Sequence, residues 1–186
     1  MQLALQKMKT YRLALIGVMT AVLCVLCPLS IPLPFSPVPI TLTNFAVFLA
    51  VFVLGWKWGT VSYLVYLMLG LVGVPVFSGF TGGPAKLVGP TGGYLIGFVF
   101  LTLISGLFIE RFEGRRGLIA AGMALSILAD NLFGTVWLAY LMKLSFGQAL
   151  LIGVVPYLIG DAVKLVLALL LGSALRRRLK AQRILA

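Results

Sequence analysis

Histidine is absent from this 186-residue chain, and only four residues are acidic. Without histidine there can be no histidine-based catalytic triad and no histidine ligand for zinc. Charged residues make up 10% of the chain, whereas a soluble domain carries roughly a quarter. Asp130 and Asp161 fall in different apolar segments, so the carboxylates do not form an obvious catalytic pair. These absences argue against an enzyme, a bound metal or cofactor, and a water-soluble fold.

Two further function classes are disfavoured by what is missing. The sequence has no G-x-x-x-x-G-K-[ST] phosphate-binding pattern, so we do not expect the chain itself to hydrolyse ATP. The net charge of +11 could suggest a nucleic-acid partner, but the basic residues stand in short gaps between apolar runs rather than on one soluble face. Cys24 and Cys27 lie in an apolar stretch and are expected to be buried small hydrophobes.

What the sequence has in excess is apolar residues, at 61% with a mean hydropathy of +1.13. A helix needs about 20 such residues to cross a bilayer core of about 30 Å. We therefore predict an all-α integral membrane protein in which residues 1–186 form one domain. Its six transmembrane helices are predicted at about 13–29, 41–54, 59–74, 93–109, 118–142 and 156–176.

The placement of positive charge supports an even number of spans. Cytoplasmic loops collect Lys and Arg, and with an inward N-terminus twelve basic residues fall in inward segments. Outward segments contain only Lys86 and Lys143, and Lys164 falls inside the last span. The sequence therefore predicts that both termini are cytoplasmic. The inward basic residues are Lys7, Lys9, Arg12, Lys57, Arg111, Arg115, Arg116, Arg176, Arg177, Arg178, Lys180 and Arg183.

Two predicted outer loops have unusual backbone chemistry. The loop between the first two spans contains five prolines within residues 28–39, which favour stiff, extended backbone. The loop at residues 74–93 is rich in glycine, which lets the backbone approach a ligand or another segment closely. The two loops suggest an external pocket with a lid, although ordinary turns would give the same composition.

Charged residues inside the last span are the first candidates for a binding site, because an ion in the bilayer is costly and usually functional. Asp161 and Lys164 are three residues apart and so share one helix face. They could neutralise each other when the site is empty and offer a ligand both an acceptor and a donor. The alternative is an internal ion pair that only fixes helix packing. Aromatic residues that could form an apolar wall are Phe77, Phe80, Tyr94 and Tyr157.

Other polar and small residues leave two interpretations open. Asp130 and Asn131 interrupt the fifth span, and we expect them mainly to hydrogen-bond across helices and hold the bundle together. Ala14, Gly17 and Ala21 form a small face on the first span. Such a face lets a second helix approach closely, either within the chain or from a partner protein.

Three motifs together make the chain resemble the BioY family, the biotin-specific substrate-binding (S) components of energy-coupling factor (ECF) importers. They cover most of the chain, and the Gly-Pro-Thr-Gly-Gly-Tyr stretch is the most specific part. The motifs are Pro37-Val-Pro-Ile-Thr41, Gly73-Val-Pro-Val-Phe77 leading into Gly89-Pro-Thr-Gly-Gly-Tyr-Leu-Ile-Gly-Phe98, and Gly160-Asp161-Ala-Val-Lys164.

The resemblance implies a function and partners. It implies a multi-pass protein of the bacterial inner membrane that captures biotin with high affinity from outside. It also implies a membrane coupling (T) component and a pair of cytoplasmic ATPases, so that ATP is used only by partner subunits. Another vitamin or small solute on the same scaffold is the alternative. The coupling protein is expected to dock on the first helix at Ala14, Gly17 and Ala21, although glycine stands here where alanine is more usual.

The resemblance also implies roles for individual residues. Asp161 and Lys164 would bind the polar groups of biotin, with Asp161 suited to the ureido N–H groups. Family members often carry glutamine just after the Pro-Ile-Thr motif, whereas this chain has Thr43 and Asn44, so an amide contact from this position would be moved or lost. Asn44 is the candidate here. Lys86 is the basic residue of the outer loop that could meet the biotin carboxylate.

Overall fold

A computed structural model describes residues 2–182, with side chains from residue 10 onward. The predicted inward charges Lys7, Lys9 and Arg183 have side chains outside that part. Helix α1 spans Gln2–Leu26, followed by strands β1 (Ser30–Leu33) and β2 (Ser36–Thr41). The remaining helices are α2 (Thr43–Leu71), α3 (Pro84–Val88), α4 (Gly92–Arg111), α5 (Arg116–Met142), α6 (Phe146–Gly153) and α7 (Leu158–Ala181), with a 3₁₀ turn at Val155–Tyr157 before α7.

Helix α2 contains the second and third predicted spans, which meet at Gly55. This residue has φ +78° and ψ −179°, a conformation that only glycine adopts readily. The arms 43–54 and 56–71 fold back on each other, because a Cβ at Gly59 would lie 3.1 Å from the Cα of Val51. The Trp56 N–H at this reversal donates to Glu110 Oε1 at 3.1 Å. With the arms counted separately, the expected six long helices are present.

The proline-rich segment is not a simple loop, and in this respect the all-α prediction was incomplete. Strands β1 and β2 pair antiparallel, with Ser30 opposite Thr41 and Leu33 opposite Ser36. Each strand of a two-stranded hairpin has one unpaired edge, where proline's missing N–H costs no hydrogen bond. The extended backbone expected from the prolines is therefore present, as a hairpin.

The glycine-rich segment folds back onto the bundle. Phe77 and Thr81 form an isolated bridge, and the Gly83 N–H donates to the Gly70 carbonyl at 2.7 Å. The Gly79 N–H donates to the Pro28 carbonyl at 3.0 Å, which joins this segment to the start of the hairpin region. The glycines thus let the backbone of this segment approach the backbone of neighbouring segments closely.

The start of the last long helix differs from the prediction. Helix α6 was not predicted and begins with a capping box, in which Ser145 and Gln148 satisfy each other's backbone N–H groups. Pro156 lies in the 3₁₀ turn, and α7 begins at Leu158. Asp161 consequently lies in the first turn of α7, whereas the predicted span beginning at residue 156 would place it in the second turn.

Close glycine contacts fix the register between α4 and α5. A Cβ at Gly93 would collide with Trp137, and one at Gly97 would collide with Asp130. Large buried side chains then fill the interior of the bundle, among them Phe48, Phe52, Tyr63, Leu101 and Met123.

The outer surface of the helices is apolar. Four helices or continuous helix runs in the described part are long and apolar enough to cross a membrane: Thr43–Leu71, Gly92–Arg111, Arg116–Met142 and Phe146–Ala181. A shorter apolar helix is Thr10–Leu26. On α7 many large hydrophobic residues are exposed, including Val163, Val166, Leu167, Leu170 and Leu171. Such a surface suits contact with lipid rather than water.

Candidate binding cavity

A cavity lies between two walls at the end of the bundle where the hairpin sits. The first wall comes from β2, the start of α2 and the start of α7, and the second from α4 and α5. The space not filled by atoms is about 620 Å³, including the open mouth. The lining residues used below are Val38, Thr41, Thr43, Asn44, Tyr66, Ser78, Thr91, Tyr94, Leu95, Phe98, Asp130, Asn131, Gly153, Tyr157, Asp161 and Lys164.

Asp161 and Lys164, the α7 pair, form the charged part of the first wall. Lys164 Nζ donates to Asp161 Oδ1 at 3.1 Å. Asn44 Nδ2, from the start of α2, donates to the same oxygen at 3.2 Å. The Asp161 side chain is 9% exposed and that of Lys164 is 12% exposed. The fold thus brings three of the residues expected to bind substrate into one hydrogen-bonded cluster.

Two tyrosines link the cavity to the hairpin and to α6. The Tyr157 hydroxyl donates to the Val38 carbonyl and lies 2.9 Å from Ser36 Oγ. Ser36 Oγ in turn donates to the Ile152 carbonyl at 2.8 Å. The Tyr94 hydroxyl donates to the Gly153 carbonyl at 3.2 Å. Both tyrosines therefore line the cavity, while the Tyr94 hydroxyl bonds to the end of α6 and the Tyr157 hydroxyl bonds to the hairpin.

Three predicted binding residues do not line the cavity. Phe77 is fully buried and packs edge-on against Tyr66 with 5.7 Å between ring centroids, so it lies one layer behind the lining. Phe80 is 64% exposed and has φ +55°. Lys86 is half-buried on α3, and this burial lowers the pKa of its ammonium group. Contact of these three residues with a ligand stays a prediction.

Several lining residues were not selected from the sequence. Tyr66 lies on the second arm of α2, where residue type alone did not separate packing from binding. Thr41, Thr91, Leu95 and Phe98 lie inside the motifs that carry the family resemblance, which was the available signal for them. Thr43 and Ser78 lie next to those motifs. Asp130 and Asn131 line the cavity, although the sequence favoured a packing role for them.

The small face of α1 points away from the bundle. Ala14, Gly17 and Ala21 are exposed, and a Cβ at Gly17 would meet no atom within 4 Å. The contact between α1 and α2 uses the neighbouring face, where Thr20 Oγ1 lies 3.0 Å from Ser62 Oγ. Within residues 10–182 this face therefore does not serve helix packing, and partner docking is the interpretation left open.

The acidic and sulfur-containing side chains of the described residues are spread over the bundle. Among the described residues no three His, Cys, Asp or Glu side chains come together as a possible metal site. Cys24 and Cys27 are free thiols, the first half-buried and the second buried.

Apolar helices around a cavity that mixes aromatic and charged groups are the features of a multi-pass membrane protein. The BioY family model matches residues 2–181, and the chain belongs to this family. It is 39% identical over 166 residues to the biotin transporter BioY of Thermotoga maritima, covering 87% of this chain and 93% of the relative. It is 37% identical over 179 residues to biotin transporter BioY2 of Lactococcus lactis, covering 94% and 95% of the two chains.

A solved structure is similar as well. The crystal structure of an S component for biotin from an ECF-type ABC transporter superposes with a TM-score of 0.85 at 31% identity. The match covers 91% of this chain and 92% of that one. The relatives are transporters or a transporter component and not enzymes, which agrees with the expectation from the sequence.

Proposed function

We propose that this protein is the high-affinity biotin-binding S component of an ATP-driven ECF importer. The observation that carries the proposal is the cluster of Asn44, Asp161 and Lys164 in a cavity that also has aromatic walls. Biotin carries a ureido ring with two N–H donors and one oxygen, an apolar thiophane and chain, and a terminal carboxylate. The carboxyl group of Asp161 can accept from a ureido N–H, and Tyr94, Phe98 and Tyr157 offer the apolar walls.

The orientation and partners belong to the same proposal. Both termini lie in the cytoplasm of a bacterial cell with the cavity facing outward, as the positive charges favour. Lys86 meets the biotin carboxylate when the glycine-rich segment closes on the ligand. The energy for import comes from a T component and an ATPase pair.

Calorimetric titration of the purified protein tests the ligand. We expect saturable binding of biotin with a nanomolar dissociation constant, which corresponds to about −12 kcal/mol. Other vitamins serve as the comparison panel. If another vitamin binds and biotin gives no saturable heat, the scaffold assignment stands and the biotin assignment is wrong.

Uptake into liposomes tests the coupling. We expect ATP-dependent biotin uptake only when the T component and the ATPases are present, and robust uptake by the lone chain would indicate a different transport mechanism. Gly17→Leu should abolish coupled uptake but leave biotin binding intact, because an added Cβ meets no atom within 4 Å among the described residues. Gly147→Leu is the matched control, since a Cβ at this exposed glycine also meets nothing within 4 Å. Equal uptake by both variants would remove the α1 face from the docking surface.

A further inference from the structure

Asp130 and Asn131, the α5 pair, have polar atoms that nothing in the described part of the chain satisfies. Asp130 is 1% exposed, and its Oδ1 has no hydrogen-bond partner there. The Nδ2 of Asn131 is also buried without a partner. Both residues line the cavity. Buried polar atoms in native proteins are almost always hydrogen-bonded, so each unpaired one calls for a specific explanation.

Helix packing does not supply that explanation. The residue facing Asp130 on α4 is Gly97, where an added Cβ would lie only 2.3 Å from Asp130 Oδ1. Glycine has no side-chain donor, so α4 approaches the carboxyl group without bonding to it. The expectation that Asp130 hydrogen-bonds across helices is therefore not met at this oxygen.

The charges that face the cavity do not supply it either. The cavity lining contains two carboxyl groups, Asp130 and Asp161, and one cation, Lys164. Lys164 already donates to Asp161 at 3.1 Å. An extra buried acceptor without a donor destabilises the empty protein, and sites that bind ligands commonly keep such groups. The excess of acceptors suits a ligand that brings at least two donors.

We propose that the α5 pair is a second polar contact for the ligand and binds its cyclic urea together with Asp161. This inference rests on the proposed function. The carboxyl group of Asp130 accepts from one ureido N–H while Asp161 accepts from the other. Asn131 Nδ2 donates to the ureido oxygen. The carboxylate of the ligand is kept at the opposite end of the cavity, because two acidic side chains would repel it beside the ring.

Calorimetry on two variants tests the assignment. Asp130→Leu and Asn131→Leu remove the hydrogen-bonding atoms and fill the same space with apolar atoms. We expect each to weaken biotin binding at least tenfold, or about 1.4 kcal/mol, while the melting temperature of the ligand-free protein stays equal or rises. Ser126→Ala is the control on the same helix: Ser126 is fully buried, but its hydroxyl is satisfied by the Met123 carbonyl at 2.7 Å. It should leave biotin affinity unchanged.

Modified ligands separate direct contact from an indirect effect. Biotin methylated on one or the other ureido nitrogen should bind the wild-type protein more weakly. For the compound whose methyl group replaces the N–H that bonds to Asp130, Asp130→Leu should cause no further loss of affinity, since the methyl group has already removed that hydrogen bond. If the wild-type protein binds biotin and both leucine variants bind it within twofold of wild type, the α5 pair is not a ligand contact. If the leucine variants melt at a lower temperature without ligand and bind biotin with unchanged affinity, the α5 pair serves helix packing instead. Wild-type protein that does not bind biotin would overturn the proposed function and this assignment together.

Discussion

Removing one member of the α7 pair should damage the protein more than removing both. Asp161 and Lys164 are mostly buried and joined at 3.1 Å. Leaving one partner of a buried ion pair uncompensated costs about 3–5 kcal/mol. For Lys164→Met we expect the lower end, about 3 kcal/mol, because Asn44 still donates to Asp161 Oδ1 at 3.2 Å.

The double variant Asp161→Asn/Lys164→Met should recover much of that stability. Replacing a whole buried ion pair by well-packed hydrophobic residues is often neutral or even stabilising by about 1–4 kcal/mol, and this double variant likewise leaves no unpaired buried charge. Unlike the stability, the affinity for biotin should not recover in the double variant. Asp161→Asn alone should weaken biotin binding more than tenfold, about 1.4 kcal/mol, and the double variant should not bind better than the single one.

Thermal unfolding in detergent, followed by circular dichroism, would rank the stabilities, and calorimetry would give the affinities. Lys143→Met is the control for loss of a lysine at an exposed site. A double variant as unstable as Lys164→Met would refute the reasoning about the uncompensated charge. Unchanged affinity in Asp161→Asn would show that the pair only fixes helix packing.

Three further outcomes are expected. Tyr157→Phe removes the hydrogen bond to the Val38 carbonyl, worth about 1 kcal/mol, so stopped-flow measurements should show biotin dissociating several-fold faster; an unchanged rate would mean that the hairpin does not retain the ligand. Gly97→Ala places a methyl group against Asp130 Oδ1 and should weaken biotin binding in calorimetry, whereas Gly147→Ala should not. Burial alone would raise the pKa of Glu113, but Lys180 and Arg176 lower it overall from its ordinary 4.5. Glu113 therefore contributes stability above pH 4.5 that is lost as the pH falls through its lower folded pKa. Glu113 is 42% exposed, so Glu113→Gln should lower stability at pH 7 by at most about 1 kcal/mol, and a melting difference that persists at acidic pH would contradict the ion-pair explanation.

Hydropathy and charge predicted the long helices well, because their apolar length is a property of the sequence alone. The reversal at Gly55 was placed between two predicted spans, although nothing in the sequence showed that Glu110 would bond to the backbone there. Asp161 and Lys164 could be paired from their spacing on one helix. Asn44 lies 117 residues before Asp161; the family resemblance made it a candidate for the same site, but its hydrogen bond to Asp161 could be found only from the tertiary structure.

The surroundings of Phe80 and Asp130 could not be predicted from the sequence, and both cases have the same physical reason. Phe80 and Asp130 were interpreted by residue type, and residue type does not say which way a side chain points. The positive φ at Phe80 and the glycine opposite Asp130 decide their surroundings, and both are properties of the folded backbone. The pairing of the proline-rich strands likewise depends on which segments meet in space.

The two walls of the cavity have a thermodynamic consequence. Asn44 and the α7 pair lie on α2 and α7, while Tyr94 and the α5 pair lie on α4 and α5. A ligand that bonds to residues of both walls joins these helices in the folded state only. By mass action, a ligand at a hundred times its dissociation constant stabilises the folded protein by about 2.7 kcal/mol. The ligand-bound protein should therefore unfold less readily than the empty one. Any conformational change that separates the walls to release the ligand must supply the free energy of the ligand contacts that it breaks.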